Sequence, residues 1–421
     1  MKSVSVVHIN AAGSGGAYVA ADRIAKAIEK YHGLDCKHWI FEYEADIPNR
    51  WADSFWKKWK AIGLHALEKL DFLRFEKSKA VRFAFSHGKT GISVVDWGVI
   101  QRADIIHLHW INKGFISLNG LSKLLALGKP IFWTCHDLWP FTGGCYHPRG
   151  CDYFTKNCGN CQYLKNPNDT DLSFRVFGQK SELLASPNLH FIAPSSWLKN
   201  QAMTRGELHL KHPIRVIANP IDVDFFSPMS ASSLDTLKES WQIPKSKRVL
   251  LFISANLSNP KKGFAEFVEL ANQLEYQQPN QWFSIIVGDR GPEVLSLDME
   301  HVMVGLLKSP EQIKAMYNLA DVYVTTSHEE NLPTTIIEAQ SVGLPVAAFA
   351  VGGIPEMITA ELGYCGALLD LKSMENWLVS WNELEESEKQ QLSRLNREFA
   401  IRNYSEKIVA QQYVEAYGSD R

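Results

Sequence analysis

The sequence predicts an α/β protein with two domains, each built on a doubly wound parallel sheet. The chain has 421 residues, which is far more than one hydrophobic core normally serves. Short β-branched or aromatic runs alternate with helical patterns, as they do in βαβ units. The alternation occurs in two series, separated by residues 219–244, a segment rich in Pro, Ser and Asp without sustained periodicity.

The apolar runs predict strands in both series. In the first series they are Ser3–Ile9, Lys37–Phe41, Asp104–Leu108, Pro130–Thr134, Leu189–Ala193 and Ile214–Ile217. In the second they are Arg248–Ile253, Trp282–Val287, Val302–Val304, Val322–Thr325 and Val346–Phe349. We therefore expect an N-terminal domain over 1–220 and a C-terminal domain over 221–421, with the option that the last helix packs back on the first domain. Open α/β sheets bind ligands at the carboxyl ends of their strands, so two such domains that face each other would form a cleft.

The composition excludes several classes of protein. Hydrophobic residues make up 45% of the chain and charged residues 21%, which is typical of a globular protein. Lys and Arg total 44 against 46 for Asp and Glu, so no overall field favours nucleic acid as a partner. The N-terminus has no basic start followed by an apolar segment, and no run approaches the ~18 apolar residues of a membrane span. We expect a cytoplasmic protein.

The segment from Arg50 to Lys89 is basic and rich in aromatic residues. It has ten Lys or Arg against four acids, together with Trp51, Trp56 and Trp59. This composition fits a peripheral surface that rests on anionic lipid at the inner membrane surface. It equally fits a helical pair that packs its aromatic side chains on the first domain.

The motif from Ser327 to Glu338 follows an apolar strand and carries two carboxylates, Glu330 and Glu338. Between them lies Pro333-Thr334-Thr335, which is typical of a helix start, where free backbone amides bind an anion. A nucleoside diphosphate sugar would use both features, with its phosphates on the amides and its hydroxyls on the carboxylates. The alternative is a solvated loop followed by an ordinary helix.

Two further loops follow predicted strands and suit phosphate. Lys262 precedes Gly263 at a predicted helix start, where an ammonium and a helix N-terminus act on the same anion. After the first strand, Gly15 and Gly16 allow the backbone to approach a phosphate closely. The glycines at 13, 15 and 16 do not form the G-x-G-x-x-G pattern, which makes a dinucleotide site less favoured.

Together with Gly352-Gly-Ile-Pro-Glu356, these motifs resemble retaining GT-B glycosyltransferases of family 4. The resemblance implies two Rossmann-like domains, with the donor held by the second and the acceptor by the first. It implies that Glu330 binds hydroxyls of the donor sugar, Glu338 the nucleotide ribose and Lys262 the diphosphate, with Gly15 and Gly16 closing over the diphosphate. The remaining donor contacts that it implies are Asn331, Leu332, Thr334 and Thr335.

The sequence departs from the family pattern at two places. Ala255-Asn256 lies where Gly-Arg is expected, which removes one cation from the donor phosphate. Asn331 stands where the family usually has Gly, so we expect an unusual sugar pocket.

Two strand ends in the first domain carry candidate acceptor residues. His107 and His109 lie two residues apart and so on one face of their strand. The resemblance places His109 beside donor sugar and acceptor, and the alternative is a structural histidine. His136 and Asp137 end the next strand and are candidates for the acceptor pocket.

Four cysteines, Cys145, Cys151, Cys158 and Cys161, lie in the loop 141–165 with the spacing C-x5-C-x6-C-x2-C. In a reducing compartment such a cluster predicts a tetrahedral structural zinc site. The alternatives are unligated thiols, or His147 in place of one ligand. The sequence has little apolar content in this loop, so we expect metal to order it.

These features predict transfer of a hexosyl group, with retention, from a GDP- or UDP-sugar to a hydroxyl of a glycan or lipid-linked acceptor in polysaccharide biosynthesis. Lys262, Glu330 and His109 are the candidate catalytic residues, and no catalytic metal is expected. Two alternatives remain: a sugar-nucleotide 2-epimerase of the same architecture, which needs no acceptor, and a non-catalytic glycan-binding protein.

Overall fold

The structure, a computed structural model, describes residues 4–41, 49–204, 210–289, 296–307 and 309–418. The strands are β1 Ser5–Asn10, β2 Asp35–Ile40, β3 Ile105–Leu108, β4 Ile131–Thr134, β5 Leu189–Ala193, β6 Arg215–Val216, β7 Arg248–Asn256, β8 Trp282–Asp289, β9 His301–Gly305, β10 Val322–Thr325, β11 Val346–Phe349 and β12 Gly363–Gly366. The helices are α1 Gly16–His32, α2 Phe55–Leu73, α3 Gly98–Arg102, α4 Leu118–Leu125, α5 Leu172–Leu184, α6 Ser196–Met203, α7 Ala231–Ser240, α8 Phe264–Gln277, α9 Pro310–Leu319, α10 Thr334–Ser341, α11 Ile354–Met357, α12 Leu371–Glu383, α13 Glu386–Tyr404 and α14 Glu406–Gly418.

Every predicted strand overlaps an observed one, although Ser3, where the first was expected to begin, lies outside the described residues. The sequence reasoning missed β12, which has a glycine at each end and only two side chains to carry a β pattern. It also missed α7 in the segment between the two series. No side chain of α7 is buried, so its sequence lacks the apolar period that marks a packed helix.

The strands form two parallel six-stranded sheets. Their orders are β2-β1-β3-β4-β5-β6 and β12-β11-β10-β7-β8-β9. In the first sheet the chain reverses its direction of winding between β1 and β3, and in the second between β7 and β10. Such switch points leave a crevice at the carboxyl ends of the two strands, because the following helices cover opposite faces of the sheet.

The chain divides into two compact units, one of residues up to Asn219 together with those from Val409 onward, and one of Pro220–Ile408. In the first unit, successive residues of β1 face different cores: Val7 packs in one apolar cluster and Val6 in another. The second cluster includes Tyr413 and Tyr417 of α14. The last helix therefore belongs to the core of the first unit.

Hydrogen bonds fix α14 on its sheet. The Tyr417 hydroxyl lies 2.6 Å from His107 Nδ1, and the Tyr413 hydroxyl lies 3.2 Å from Thr134 Oγ1. These bonds satisfy polar groups on β3 and β4 that would otherwise be buried without partners.

The basic aromatic segment divides into two sets of side chains. Phe72 and Phe85 are buried, and Trp51 and Phe75 pack partly against the same core. A second set on and after α2 is exposed: Phe55, Trp56, Trp59 and Phe83. Core packing therefore accounts for only part of the segment.

A helix that crosses a membrane must be long and apolar. Across the described ranges, no helix is long and apolar enough to cross a bilayer.

Candidate functional site

The switch point of the second sheet brings together two loops that carry charged motif residues. Lys262 follows β7, and Glu330 follows β10. Lys262 Nζ donates to Glu330 Oε1 at 2.6 Å, although 68 positions separate the two residues. The preceding pair repeats the pattern, with Lys261 Nζ 2.8 Å from Glu329 Oε2. Two parallel ion pairs thus cross the end of the sheet.

Glycines allow the backbones of these loops to approach closely. Gly263 has φ +70°, and a Cβ there would lie 1.9 Å from the carbonyl oxygen of Thr326. Gly352 has φ +59°, and its Cβ would lie 1.6 Å from the carbonyl oxygen of Glu330. Any side chain at either position would displace the loop that carries Glu330. The Gly352-Gly353 segment also holds the next residue, because Gly353 N donates to the carbonyl of Asn331 at 2.9 Å.

Helix α10 begins at Thr334, one residue later than Pro333, which occupies the capping position. Within the described residues no side chain caps this N-terminus. The first amides of α10 therefore point beyond the helix and suit an anion. Thr334 and Thr335 are half-buried, whereas Leu332 is buried and anchors the loop.

Glu338 lies one turn into α10 and is 7% exposed. Its Oε2 accepts a hydrogen bond from the Tyr317 hydroxyl of α9 at 3.0 Å. The neighbouring Tyr323 on β10 is also buried, and burial raises the pKa of this phenol above its ordinary value. The Tyr323 phenol therefore remains neutral near this carboxylate.

The first departure from the family pattern lies where the pairing of β7 with β8 shifts register, between Ile253 and Asn256. Ala255 and Asn256 end β7 and are exposed. The Asn256 carboxamide oxygen accepts from Ser258 N at 2.9 Å. Asn256 thus shapes its own turn and supplies no positive charge. Asn331 is half-buried beside the Gly352-Gly353 segment.

In the first unit, Gly15 and Gly16 form the turn from β1 into α1. Gly15 has φ +84° and caps the helix through its backbone alone, since the described part of the chain offers no side-chain cap here. A Cβ on Gly15 or Gly16 would meet no described atom within 4 Å. The requirement for glycine at Gly15 thus comes from its backbone conformation, and the surrounding space admits a ligand.

His109 is 2% exposed and lies at the centre of a chain of imidazoles. Its Nε2 lies 3.0 Å from His8 Nδ1, and its Nδ1 lies 3.1 Å from His136 Nε2. His107 stacks on it with ring centroids 4.4 Å apart, as expected for alternate residues of one strand. His109 is buried, whereas His136, which follows the carboxyl end of β4, is half-buried.

Burial keeps the imidazoles neutral. Desolvation lowers the pKa of His109 well below its ordinary value, and the neighbouring histidines lower it further. The same cause lowers the pKa of His136 to about 4. Burial disfavours the charged form of the Asp137 carboxyl group too, and therefore raises its pKa to about 6. The Trp139 amide donates a hydrogen bond to this carboxylate at 2.8 Å, which acts in the opposite direction.

His8, His107 and His109 each offer a nitrogen within 4.8 Å of the others, and among the described residues they form the only such group able to hold a metal ion. The nitrogens of His107 are already bonded to Tyr417 and Thr134. Those of His109 are bonded to its two neighbouring histidines. Protein hydrogen bonds therefore account for two of the three imidazoles.

The cysteine loop is ordered by protein contacts, which corrects the expectation of little apolar content. Phe154, Tyr163 and Leu164 are buried. Asp171 caps α5 and accepts from Cys161 N at 2.9 Å, so it ties the loop to the helix. The loop gains apolar contacts from residues that its sequence presents singly, without a period.

Two of the four thiols, Cys145 and Cys161, are buried, and Cys151 and Cys158 are half-buried. Cys158 Sγ accepts a hydrogen bond from Gly143 N at 3.1 Å. Burial raises the pKa of Cys161 to about 11. No three of these thiols come within 4.8 Å of one another in the described residues, whereas a zinc ion with bonds of about 2.3 Å holds its sulfurs about 3.8 Å apart.

Two residues of the first unit escaped the sequence reasoning. His8 lies in register with His107 on adjacent strands. Asn10 ends β1 and accepts from Trp110 N at 3.0 Å, which joins the ends of the two strands at the switch point. A comparison of the two strand sequences would have found His8, since both have a histidine near the carboxyl end of an apolar run.

Comparison with known proteins adds a family assignment for part of the chain. Residues 234–399 match the family model described as glycosyl transferases group 1. The second unit therefore contains a glycosyl transferases group 1 domain. The group 1 domain includes Lys262, Glu330, Glu338 and the Gly352-Gly353 segment.

The chain is similar to curated proteins over part of its length. It is 23% identical over 59% of its residues to the putative colanic acid biosynthesis glycosyl transferase WcaC of Escherichia coli, of which the match covers 59%. It is 27% identical over 44% of its residues to D-inositol 3-phosphate glycosyltransferase of Mycolicibacterium smegmatis, of which the match covers 43%. The chain thus spans about half the length of the curated relatives it matches.

Solved structures resemble the whole chain. Sucrose-phosphate synthase from Thermosynechococcus elongatus has a TM-score of 0.66 at 16% identity and covers 99% of this chain and 98% of its own. Anabaena HepE, crystallised with UDP and glucose, has a TM-score of 0.63 at 16% identity and covers 99% and 100%. The predicted fold class, two Rossmann-like domains of the GT-B type, is confirmed.

Proposed function

We propose that this protein is a retaining glycosyltransferase of family 4 that moves a hexosyl group from a nucleoside diphosphate sugar to a hydroxyl of a glycan or lipid-linked acceptor. The observation that carries the proposal is the meeting of Lys262 with Glu330 at the switch point, next in sequence to the uncapped N-terminus of α10. One site thereby offers a cation, free amides and carboxylates. A diphosphate needs the first two, and the hydroxyls of a sugar and a ribose need the third.

The donor roles follow from this chemistry. Lys262 has three N–H donors, and its bond to Glu330 uses one of them, so it can bind a phosphate oxygen while it orients the carboxylate. We assign the α10 amides at Thr334 and Thr335 to the diphosphate, and Glu338 to the ribose. Asn331 and Leu332 line the sugar pocket in this assignment.

The same groups explain how the barrier would fall. The bond between the sugar and the diphosphate breaks with negative charge developing on the leaving phosphate. Lys262 and the helix amides are already oriented toward that charge, so they stabilise the transition state without reorganisation. A water-activating base is not required for this transfer, and Glu330 and Glu338 serve binding.

In the first unit we assign Gly15 and Gly16 to an anion, His109 to the reacting sugar and acceptor, and His136 and Asp137 to the acceptor pocket. His109 is buried, so its contribution passes through the half-buried His136. The neutral imidazoles suit hydrogen bonds with hydroxyls, which both donate and accept.

One relative, WcaC, is named for colanic acid biosynthesis, which supports a role of this chain in polysaccharide biosynthesis. HepE was crystallised with UDP-glucose as well as with UDP, which supports a nucleotide sugar as the donor.

The experiment is a thermal-shift screen with UDP, GDP and their sugars, followed by a transfer assay with the donors that bind. We expect one nucleoside diphosphate to raise the melting temperature, and its sugar to be consumed only with acceptor present. Proton NMR would then show the anomeric configuration of the product, which we expect to be the same as that of the donor. A chain that binds no nucleotide sugar would contradict the proposal, and conversion of a donor without acceptor would favour the epimerase.

A further inference from the structure

Helix α2 exposes a continuous row of large apolar side chains, which we call the α2 apolar face. The exposed fractions are 80% for Trp56, 65% for Phe55, 59% for Leu70, 55% for Leu67, 52% for Trp59, 42% for Ile62 and 40% for Leu73. Scattered exposed hydrophobic residues need no explanation, but a row of seven on one helix does.

The spacing of these residues places them on one side of the helix. At about 100° per residue, the seven side chains fall within an arc of roughly 140°. The buried residues Ala61, Glu68 and Phe72 lie on the opposite side. The helix therefore has two apolar sides, one packed on the first unit and one turned away from it.

The packed side holds α2 firmly, so the exposed face does not result from a loosely placed helix. Phe72 stacks on Phe85 with ring centroids 4.8 Å apart. Glu68 accepts a hydrogen bond from the Ser86 hydroxyl. A Cβ on Gly114 would lie 2.7 Å from the backbone of Leu64, so only glycine lets the helix approach this closely.

Basic side chains border the α2 apolar face. On the helical wheel Lys58 and Lys69 flank one edge and Lys60 the other. Lys69 Nζ lies 3.6 Å from the ring centroid of Phe83, which is itself 68% exposed and extends the apolar face beyond the helix. Long basic side chains at such edges can direct their charges toward phosphate while their aliphatic stems lie along the apolar surface.

We propose that the α2 apolar face inserts into the headgroup region of an anionic lipid bilayer and holds the protein at the membrane surface. The apolar residues supply burial between the acyl chains, and the bordering lysines supply attraction to lipid phosphate. A second copy of the chain fits less well, because a two-fold contact through this face would bring the lysines of both copies together. The inference does not depend on the proposed catalytic activity.

The first experiment sediments the full chain with vesicles of phosphatidylcholine alone or with phosphatidylglycerol added to supply anionic headgroups. We expect binding to the anionic vesicles that weakens at least fivefold between low and high salt. Trp56→Ser combined with Leu70→Ser should reduce the partition coefficient at least tenfold. The matched control is Tyr276→Ser, which removes an aromatic ring that is 91% exposed in the second unit.

The charge contribution has its own pair of variants. Lys58→Glu with Lys60→Glu should abolish the preference for anionic vesicles. Arg402→Glu with Lys407→Glu makes the same change in charge at exposed positions elsewhere and should leave binding unchanged. Equal loss in both pairs would show a general charge effect and overturn the assignment to α2.

The second experiment locates the contact and uses no disruptive variant. Brominated acyl chains should quench the tryptophan fluorescence of the bound protein, and Trp56→Phe with Trp59→Phe should remove most of that quenching while binding persists. Binding without such quenching would overturn insertion of this face. Failure to bind anionic vesicles, or a concentration-dependent dimer that Trp56→Ser and Leu70→Ser dissociate, would overturn the lipid assignment.

Discussion

Lys262 and Glu330 are partly exposed at 39% and 14% of their side-chain areas, and each is the other's neighbour at the end of the sheet. Water screens such a pair, so its contribution to stability is small. The pair instead orients the two side chains, because each charge holds the other near the uncapped N-terminus of α10. The pair therefore acts on orientation more than on stability, as the proposed donor site requires.

Lys262→Ala is expected to lower kcat more than it lowers donor affinity, because its charge opposes the charge that develops on the leaving diphosphate. Steady-state kinetics together with calorimetric donor binding measures both effects. Lys261→Ala is the matched control, since Lys261 makes a similar ion pair with Glu329. Equal losses in kcat and affinity for Lys262→Ala would indicate uniform binding of substrate and transition state.

Glu338→Gln is expected to weaken donor binding by about 1 to 3 kcal/mol, because a charged acceptor of a hydroxyl hydrogen bond becomes a neutral one. Isothermal titration with the nucleoside diphosphate measures it. Tyr317→Phe is the control, since it removes the protein hydrogen bond to Glu338 and keeps the carboxylate. Unchanged affinity in Glu338→Gln would remove this residue from the donor site.

At the scale of elements, strands β1, β3 and β4 and the residues just after them bring together a chain of imidazoles that runs from the buried His8 through the buried His109 to the half-buried His136. The tautomers along such a chain are coupled, because a hydrogen between two nitrogens belongs to one of them at a time. His8 Nε2 ends the chain with no hydrogen-bond partner among the described residues. The hydrogen bonds between these imidazoles therefore depend on the register of the strands.

Acid is expected to destabilise the first unit below the ordinary histidine pKa of about 6.5. The folded-state pKa of His107 is lowered by burial to about 3 and that of His136 to about 4, so the unfolded chain binds more protons between these values and 6.5. The stability that these residues contribute is present above pH 6.5 and is lost as the pH falls through this window. Asp137, with its pKa raised to about 6, acts in the opposite direction.

Denaturant unfolding from pH 7 to pH 4 measures this loss, which amounts to at most about 1.4 kcal/mol per pH unit for each histidine. His136→Gln should reduce the slope, since glutamine does not titrate. The control is His32→Gln, which changes a half-buried histidine outside this chain of imidazoles. A wild-type stability that is flat over this range would contradict the prediction.

The cysteine loop is the second element for which we make a prediction, and the prediction concerns its metal content. We propose that it binds zinc structurally, and closure of the thiols around the metal would require them to approach one another. Protein purified without chelator is expected to contain one zinc per chain by elemental analysis. Cys158→Ser or Cys161→Ser should release the metal and impair use of the acceptor while donor affinity is retained.

Cys365→Ser is the matched control for the metal, because Cys365 is a half-buried thiol of the second unit. It should keep the zinc content of the wild type. Well under one zinc per chain in the wild-type protein would exclude the proposed site, and the protein contacts of the loop, such as that of Asp171 with Cys161 N, would then order it alone.

At the scale of the whole molecule, helix α14 belongs to the same unit as strand β1. Helix α14 completes the core of the first sheet, so this core cannot form fully until the residues from Val409 onward are present. Folding of the first unit therefore requires contacts between residues about 300 positions apart, such as that of His107 with Tyr417. Such non-local contacts slow folding.

Tyr413→Ala is expected to destabilise the first unit by about 3 kcal/mol or more, because it opens a cavity and leaves Thr134 with one partner fewer. Calorimetry of the full chain should show a lower transition for this unit and an unchanged transition for the other. Gln411→Ala changes an exposed residue of the same helix and serves as the control. Equal shifts in both variants would contradict a specific role for Tyr413.

Local patterns in the sequence were sufficient to predict every described strand except β12, the parallel α/β class and the loops that carry Lys262, Glu330 and the glycines, because periodicity and turn chemistry act over a few residues. Strand order was not accessible in this way. The order of the strands brings Lys262 to Glu330, and His8 to His109 and His136. Tertiary packing decides that α14 covers the first sheet. The sequence of residues 50–89 likewise left two interpretations open, because composition alone does not say which side of a helix is packed. Tertiary contacts settled that Phe72 is buried and Trp56 exposed, since burial depends on what the rest of the chain places against each side.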